Sequence, residues 1–138
     1  QLRAVADAGA RFAVSPGFST ALVRAAASTG VPLLPGVLTP SELLAALDSG
    51  LDTLKFFPAE AGGGVPTLKA LAGPFADVRF CPTGGIGLDN AADYLALDSV
   101  ACVGGSWIAG AVSIDAGDWA GIRDRARAAA RLTRTPTP

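Results

Sequence analysis

Short apolar runs alternate along this chain with longer amphipathic stretches rich in Ala and Leu. The apolar runs are largely continuous, which is typical of parallel strands covered on both faces. They predict five strands, over residues 12–16, 32–37, 53–58, 78–82 and 100–104. The other stretches predict helices over residues 20–28, 40–49, 66–71, 88–97 and 115–132. Strands and helices that alternate in this way indicate a parallel sheet with right-handed crossover connections.

Five parallel strands fit either an open doubly wound sheet or part of a (β/α)8 barrel. A complete barrel usually needs about 200 residues or more, whereas this sequence has 138. The sequence also opens within a predicted helix, residues 1–9, and without a methionine. We therefore expect N-terminal strands to be missing from it, through truncation, cleavage or disorder. Its end, residues 133–138, predicts a frayed tail.

Composition narrows the class of protein. Half of the residues are hydrophobic and 17% are charged, so the chain can bury a substantial core. A net charge of -1 argues against nucleic acid as the main partner, because such domains usually carry a basic excess. No apolar stretch approaches the roughly 20 residues that span a bilayer, and no signal segment opens the chain. We expect a soluble protein with neither nucleic acid nor a membrane as partner.

Residue types that carry chemistry are few in this chain. It has no histidine, which excludes His-based triads and His–metal sites, and makes a zinc site a poor hypothesis. Cys81 and Cys102 lie in apolar runs without CxxC spacing, which predicts two buried reduced thiols, with a disulfide or redox role as the alternative. Amine chemistry is confined to Lys55, Lys69 and the N-terminus.

Lys55 lies within an apolar predicted strand, between Leu54 and Phe56. Because side chains alternate along a strand, Lys55 and Phe57 share one face. In a barrel, one face of each strand points into the interior. Loss of water there disfavours the charged form of a lysine amine. The neutral amine is a nucleophile towards carbonyls. The structural alternative is a lysine that reaches the polar end of the strand, or that pairs with Asp52 or Glu60. Lys69, on a predicted helix, is interpreted as a solvated charge.

Two glycine-rich loops follow the last two predicted strands: Thr83-Gly84-Gly85-Ile86-Gly87 and Gly104-Gly105-Ser106-Trp107. Glycine lets backbone N–H groups approach an anion closely, and a following helix N-terminus adds positive potential. In a barrel the loops after the seventh and eighth strands are the usual phosphate site. Each loop alone could be an ordinary tight turn, but two in succession after a strand lysine favour a phosphate site.

Five segments together carry a family resemblance: "SPGFS", "LLPGVLTPSEL", "LKFFPAEAGGG", "VRFCPTGGI" and "VGGSW". They closely resemble the 2-keto-3-deoxy-6-phosphogluconate (KDPG) aldolases, which also act as 4-hydroxy-2-oxoglutarate aldolases, and the similarity runs from residue 1 to about residue 124. The resemblance implies a class I aldolase, a lyase of the Entner–Doudoroff pathway, acting on a small 2-oxo acid without metal or organic cofactor. It also implies a cytoplasmic homotrimer and a (β/α)8 TIM barrel, with strands four to eight present and residues 1–132 forming the C-terminal part of one barrel domain.

The resemblance also implies roles for particular residues. Lys55 is expected to form the Schiff base, and Thr83 to contact the substrate. Gly84, Gly85 and Ser106 match the phosphate site, and Pro16 and Phe57 match residues that wall the pocket.

One part of the family's site has no match in this sequence. The general acid/base glutamate and the carboxylate-binding arginine are expected before Gln1, since neither Glu42 nor Glu60 matches that glutamate; Glu60 is expected to be a loop or subunit-contact residue. The 138-residue span alone is therefore expected to be inactive. Three alternatives stay open: a barrel phosphosugar isomerase, a non-catalytic phosphate-binding module if nothing precedes Gln1, and a structural trimer-forming fragment.

Overall fold

The computed structural model describes residues 1–132, so the predicted tail lies outside the described residues. Helices and strands alternate, as predicted. In chain order they are α1 Leu2–Asp7, β1 Ala13–Val14, α2 Thr20–Thr29, β2 Leu33–Leu34, β3 Gly36–Val37, α3 Pro40–Asp48, β4 Thr53–Phe56, α4 Gly64–Ala72, β5 Arg79–Pro82, α5 Ala91–Leu95, α6 Ala111–Asp115 and α7 Trp119–Ala130. Within residues 1–132, no helix is long and apolar enough to cross a membrane.

The strands pair in parallel and in sequence order: β1 with β2, and β3 with β4 and then β5. The predicted strand over residues 32–37 is divided into β2 and β3 at Pro35. Proline has no backbone N–H to contribute to a ladder. The Pro35 carbonyl still accepts a hydrogen bond from the Lys55 N–H at 2.9 Å, so the chain passes directly from the β1–β2 sheet to the β3–β5 sheet.

The predicted strand over residues 100–104 is wrong as a regular strand. The segment forms two isolated parallel bridges instead, Phe80 to Val100 and Thr83 to Gly104. The two bridges are three positions apart along β5 and four positions apart along the other segment, so an extra residue shifts the register. Pro82 also lacks the N–H that a continuous ladder would use, although its carbonyl accepts from the Gly104 N–H at 2.9 Å. The segment nevertheless runs alongside β5.

Two predicted helices have different bounds in the structure. The predicted helix over residues 88–97 is the shorter α5, which begins after Asn90. The predicted helix over residues 115–132 is the shorter α7, and α6 before it was not predicted; Gly117, whose φ of +66° is left-handed, lies between the two. Asp118 then caps α7 by accepting a hydrogen bond from the Gly121 N–H at 2.9 Å. A left-handed residue followed by a new cap ends one helix and begins another.

The core lies between the β3–β5 sheet and the helices that cover one of its faces. Leu54, Phe56 and Phe80 point into it and are fully buried, together with residues of α3, α4 and α5. Because side chains alternate, Lys55 and Cys81 point to the opposite face of the sheet, where both are half-buried. This second face carries the candidate chemistry.

Candidate active site

Lys55 lies on β4, opposite Gly36 of β3 and Cys81 of β5. Its Nζ is 4.0 Å from the centroid of the Phe57 ring, so the two side chains share a face, as predicted. The lysine is half-buried rather than fully enclosed, because the helices cover the other face of β4. The amine is therefore accessible to a small molecule while it packs on an aromatic ring.

The two carboxylates considered as partners of Lys55 are engaged elsewhere. Asp52 accepts a hydrogen bond from the Thr53 hydroxyl at 3.0 Å, and Glu60 accepts one from the Tyr94 hydroxyl. Within residues 1–132, neither carboxylate forms an ion pair with Lys55. The structure thus favours an amine packed on an aromatic ring over a lysine held by a salt bridge.

Thr83 follows β5 and lies beside the lysine strand. Its N–H donates to the Phe56 carbonyl at 3.0 Å. Its hydroxyl donates to the Cys81 carbonyl at 3.3 Å and lies 3.9 Å from the Cys81 sulfur. Cys81 is the register partner of Lys55. The Thr83 hydroxyl therefore lies at the carboxyl end of β5, the strand next to the one that carries Lys55.

Both cysteines are free thiols. Cys81 is half-buried, but Cys102 is exposed, so the prediction of two buried thiols is wrong for Cys102. Cys102 lies in the irregular segment beside β5, which leaves it open to solvent. A hydrogen bond from the Cys81 thiol lowers the pKa of Cys102 to about 6. The same interaction, together with burial, raises the pKa of Cys81. The exposed thiol is thus the more reactive of the two.

The loop over residues 83–87 rests on the turn that follows β4. The N–H groups of Ala59 and Glu60 donate to the carbonyls of Thr83 and Gly84 at 2.8 and 3.0 Å. Gly85 has a left-handed φ of +78°, and a Cβ there would lie 2.7 Å from two side-chain carbons of Glu60. Only glycine fits this approach, so the loops after β4 and β5 form one packed unit.

The second glycine-rich loop contacts the first. A Cβ on Gly104 would lie 2.8 Å from the Thr83 hydroxyl oxygen, and one on Gly105 would lie 2.8 Å from the Ile86 carbonyl oxygen. Gly85 and Ser106 are exposed and Gly84 is partly exposed. The carboxyl ends of neighbouring parallel strands meet at one edge of a sheet, so the structure brings together the two loops that the sequence singled out.

Pro16 follows β1 and lies towards the same end of the strands. A Cβ on Gly36 would lie 2.0 Å from the Pro16 carbonyl oxygen, so the backbone after β1 packs directly on β3. Because Gly36 is the register partner of Lys55, Pro16 is one strand removed from the lysine. Its side chain is exposed.

Three residues of this region were not predicted to support the glycine loop: Glu60, Asn90 and Tyr94. The Tyr94 hydroxyl donates to a Glu60 carboxylate oxygen, and the ring of Tyr94 is fully buried. Asn90 donates to the Gly85 carbonyl at 3.0 Å and accepts from the Gly87 N–H at 2.8 Å. Asn90 falls inside the predicted helix over residues 88–97, so its place before α5 was not predicted, and the residues that it contacts depend on tertiary packing.

Glu42 has a structural task. It forms a capping box with Thr39 at the start of α3, accepting from the Thr39 N–H at 2.9 Å. Burial raises the pKa of Glu42, but hydrogen bonds from Leu38 and Thr39 outweigh it, so the net shift is downward. A carboxylate held ionised in this way at a helix cap is a poor proton donor, in agreement with the sequence-based view that Glu42 is not the acid/base.

The family model described as KDPG and KHG aldolase matches residues 1–125. The chain belongs to this aldolase family. It is 55% identical over 129 residues to the KHG/KDPG aldolase of Escherichia coli strain K12, and likewise to the 2-dehydro-3-deoxy-phosphogluconate aldolase of Dickeya dadantii. Each alignment covers 94% of this chain and 61% of the relative.

Solved structures of KDPG aldolases share the fold of this chain. The enzyme from Legionella pneumophila, which carries pyruvate captured as a covalent carbinolamine, superposes with a TM-score of 0.87 at 49% identity, over 91% of this chain and 61% of that one. The enzyme from Zymomonas mobilis ZM4 with 3-phosphoglycerate has a TM-score of 0.84 at 43% identity, over 96% and 62%. The chain thus spans about three fifths of the aldolases that it matches.

Proposed function

We propose that the whole protein is a class I aldolase. It would cleave 2-dehydro-3-deoxy-6-phosphogluconate to pyruvate and glyceraldehyde 3-phosphate, 4-hydroxy-2-oxoglutarate to pyruvate and glyoxylate, or both. The observation that carries the proposal is the placement of Lys55: a half-buried strand amine, packed on Phe57, with two glycine loops that contact each other after β5 and after the segment beside it. Relatives that bear both substrate names support the same reaction.

The proposed reaction begins when the Lys55 Nζ attacks the C2 ketone of the substrate. The carbinolamine loses water and becomes an iminium ion, which withdraws electrons from the adjacent C3–C4 bond. A base removes the C4 hydroxyl proton, the C3–C4 bond breaks, and the aldehyde leaves. The remaining enamine is protonated at C3 and hydrolysed to pyruvate. A carbinolamine with pyruvate is what the Legionella relative contains.

Phe57 contributes to these reaction steps through its aromatic ring. An aromatic face attracts a nearby cation, and its centroid is 4.0 Å from the reacting nitrogen. The iminium ion is cationic at that nitrogen, so the ring stabilises it and also orients the free amine. We assign the aldehyde portion of the substrate to Thr83, and its phosphate to Gly84, Gly85 and Ser106, with Pro16 forming part of the wall. The proposed steps need neither a metal nor an organic cofactor.

The finer architecture belongs to the same proposal. We assign residues 1–132 to the C-terminal part of one (β/α)8 barrel domain, as strands four to eight. The pairing of strands in sequence order supports this assignment, because a doubly wound sheet reverses its strand order at a switch point. Two further elements of the proposal, assembly as a homotrimer and a cytoplasmic location, rest on the family resemblance alone.

Covalent trapping tests the proposed function. Incubation of the full-length protein with pyruvate and borohydride should reduce the imine and leave a stable pyruvate-derived mass on Lys55, located by peptide mass spectrometry. Lys69 is the internal control, since it is exposed in the last turn of α4. Labelling at Lys69 in place of Lys55, or no adduct at all, would contradict the Schiff-base assignment and favour a phosphosugar isomerase or a phosphate-binding module.

Ser106→Ala tests the phosphate assignment. Loss of a hydrogen bond to a charged group costs about 1.5–3 kcal/mol, so we expect kcat/KM for the phosphorylated substrate to fall roughly tenfold or more. The value for 4-hydroxy-2-oxoglutarate should be nearly unchanged, because that substrate has no phosphate. Steady-state kinetics on both substrates measure the difference. Equal losses on the two would mean that Ser106 does not bind phosphate.

A further inference from the structure

Helix α5 supports the Gly84–Gly85 loop through side chains that no step of the proposed reaction uses. The Asn90 side chain bridges the Gly85 carbonyl and the Gly87 N–H, at 3.0 and 2.8 Å. A trans peptide directs its C=O and N–H in opposite directions, and the described chain has its one cis bond elsewhere, at Phe57–Pro58. Since Asn90 holds the Gly85 carbonyl, the N–H of Ile86 is directed away from α5.

The preceding peptide, between Gly84 and Gly85, is held in a comparable way by the turn after β4. The Gly84 carbonyl accepts from the Glu60 N–H at 3.0 Å, which directs the Gly85 N–H away from the turn after β4. The side-chain carbons of Glu60 also lie against Gly85, since an added Cβ there would meet them at 2.7 Å. The position of Glu60 therefore limits the position of this peptide.

Glu60 is in turn held by Tyr94. The Tyr94 ring is fully buried in the core, and its hydroxyl donates to the Glu60 carboxylate. Burial and the neighbouring carboxylate raise the pKa of Tyr94, so its hydroxyl stays protonated and remains a donor over the neutral range. A hydroxyl anchored in the core thus fixes an exposed carboxylate whose own carbons contact the loop.

We propose that Asn90 and Tyr94 are positioning residues that hold the peptides of Gly84, Gly85 and Ile86 in the orientation that binds a phosphate group. Asn90 acts directly on the loop and Tyr94 acts through Glu60. Together they set how strongly the enzyme prefers a phosphorylated substrate. This inference rests on the proposed function, in which the same loop binds the substrate phosphate.

The test compares Asn90→Ala and Tyr94→Phe in the full-length protein on 2-dehydro-3-deoxy-6-phosphogluconate and 4-hydroxy-2-oxoglutarate. Each lost hydrogen bond should lower kcat/KM for the phosphorylated substrate by about three- to tenfold, chiefly through a higher KM. Turnover of 4-hydroxy-2-oxoglutarate should be nearly unchanged. Inhibition by inorganic phosphate should weaken by the same factor, which gives a readout of the loop without any reaction.

Conservative variants separate positioning from mere folding. Glu60→Gln keeps an acceptor for the Tyr94 hydroxyl and should keep the substrate preference, whereas Glu60→Ala should lose it. Asn90→Asp keeps the acceptor for the Gly87 N–H but cannot donate to the Gly85 carbonyl, and should lose at least as much preference as Asn90→Ala. These variants test the inference even if Tyr94→Phe folds poorly.

Thr39→Ala is the stability control, because it removes the α3 cap without contact to the loop. It should lower the melting temperature and leave the substrate preference unchanged. If Asn90→Ala and Tyr94→Phe behave like Thr39→Ala while Ser106→Ala still lowers use of the phosphorylated substrate, the positioning role is overturned and the phosphate site stands. If Ser106→Ala also has no selective effect, the phosphate assignment itself is wrong and the positioning role falls with it.

Discussion

Replacing Lys55 with methionine or arginine should lower retro-aldol turnover by on the order of 10⁵- to 10⁶-fold, the loss found when the nucleophile of a covalent enzyme is removed. Methionine removes the amine. Arginine keeps a cation that can pack on the Phe57 ring, now 4.0 Å from the lysine nitrogen, but its guanidinium is always protonated and cannot form an imine. Equal losses in the two variants would show that nucleophilicity, rather than positive charge, is what the site requires.

Coupled detection of released pyruvate measures this loss, and borohydride trapping on the same samples should give no adduct. Lys69→Met and Lys69→Arg are the matched controls, since Lys69 lies exposed on α4, and both should retain normal turnover. Substantial turnover by Lys55→Arg would contradict the covalent mechanism, because it would show that a cation alone suffices.

Gly85→Ala should have the largest effect among substitutions that spare the nucleophile. At a φ of +78° an L-residue is strained, and its Cβ would meet Glu60 carbons at 2.7 Å, so the loop must move. Two charge-assisted hydrogen bonds to phosphate, worth about 1.5–3 kcal/mol each, would then be lost or weakened. We expect kcat/KM for the phosphorylated substrate to fall by about 10²- to 10⁴-fold. Trapping of pyruvate on Lys55 should persist.

Gly50→Ala is a closely matched control for this experiment. Gly50 has a φ of +77°, nearly that of Gly85, but a Cβ there would meet nothing within 4 Å. The Gly50→Ala variant should therefore have the same backbone strain and a modestly lower stability. Its substrate preference should not change. If Gly50→Ala and Gly85→Ala lowered kcat/KM alike, backbone strain alone would explain the result, and the loop would have no particular relation to phosphate.

Local patterns were enough to predict much of the fold. Alternation along β4 predicted that Lys55 and Phe57 share one face of the strand, which the structure confirms. The structure shows in addition that the other face, with Leu54 and Phe56, lies in the core. Thr39 and Glu42 form a capping box at the start of α3, and this pairing of residue types three positions apart is visible in the sequence. These features depend on residues that are neighbours in sequence, so the side-chain period and the cap chemistry are visible in the chain itself.

Longer-range details were not predictable in the same way. The segment over residues 100–104 has an apolar strand pattern, yet Pro82 on the neighbouring strand and a one-residue register shift reduce its pairing to isolated bridges. The exposure of Cys102 follows from that irregularity. An apolar run does not reveal how its neighbour is built, so its pairing and burial depend on the partner.

The same division applies to the candidate site. The sequence by itself determined which residues are proposed for the chemistry: a strand lysine, its aromatic neighbour and two glycine loops, each recognisable from local residue types. Only the tertiary structure decided that the loops contact each other, that Asn90 holds the Gly85 carbonyl, and that Tyr94 reaches Glu60 across 34 positions of chain. Contacts between distant segments depend on strand register and helix packing, which the whole fold sets at once, so no short stretch of this chain contains them.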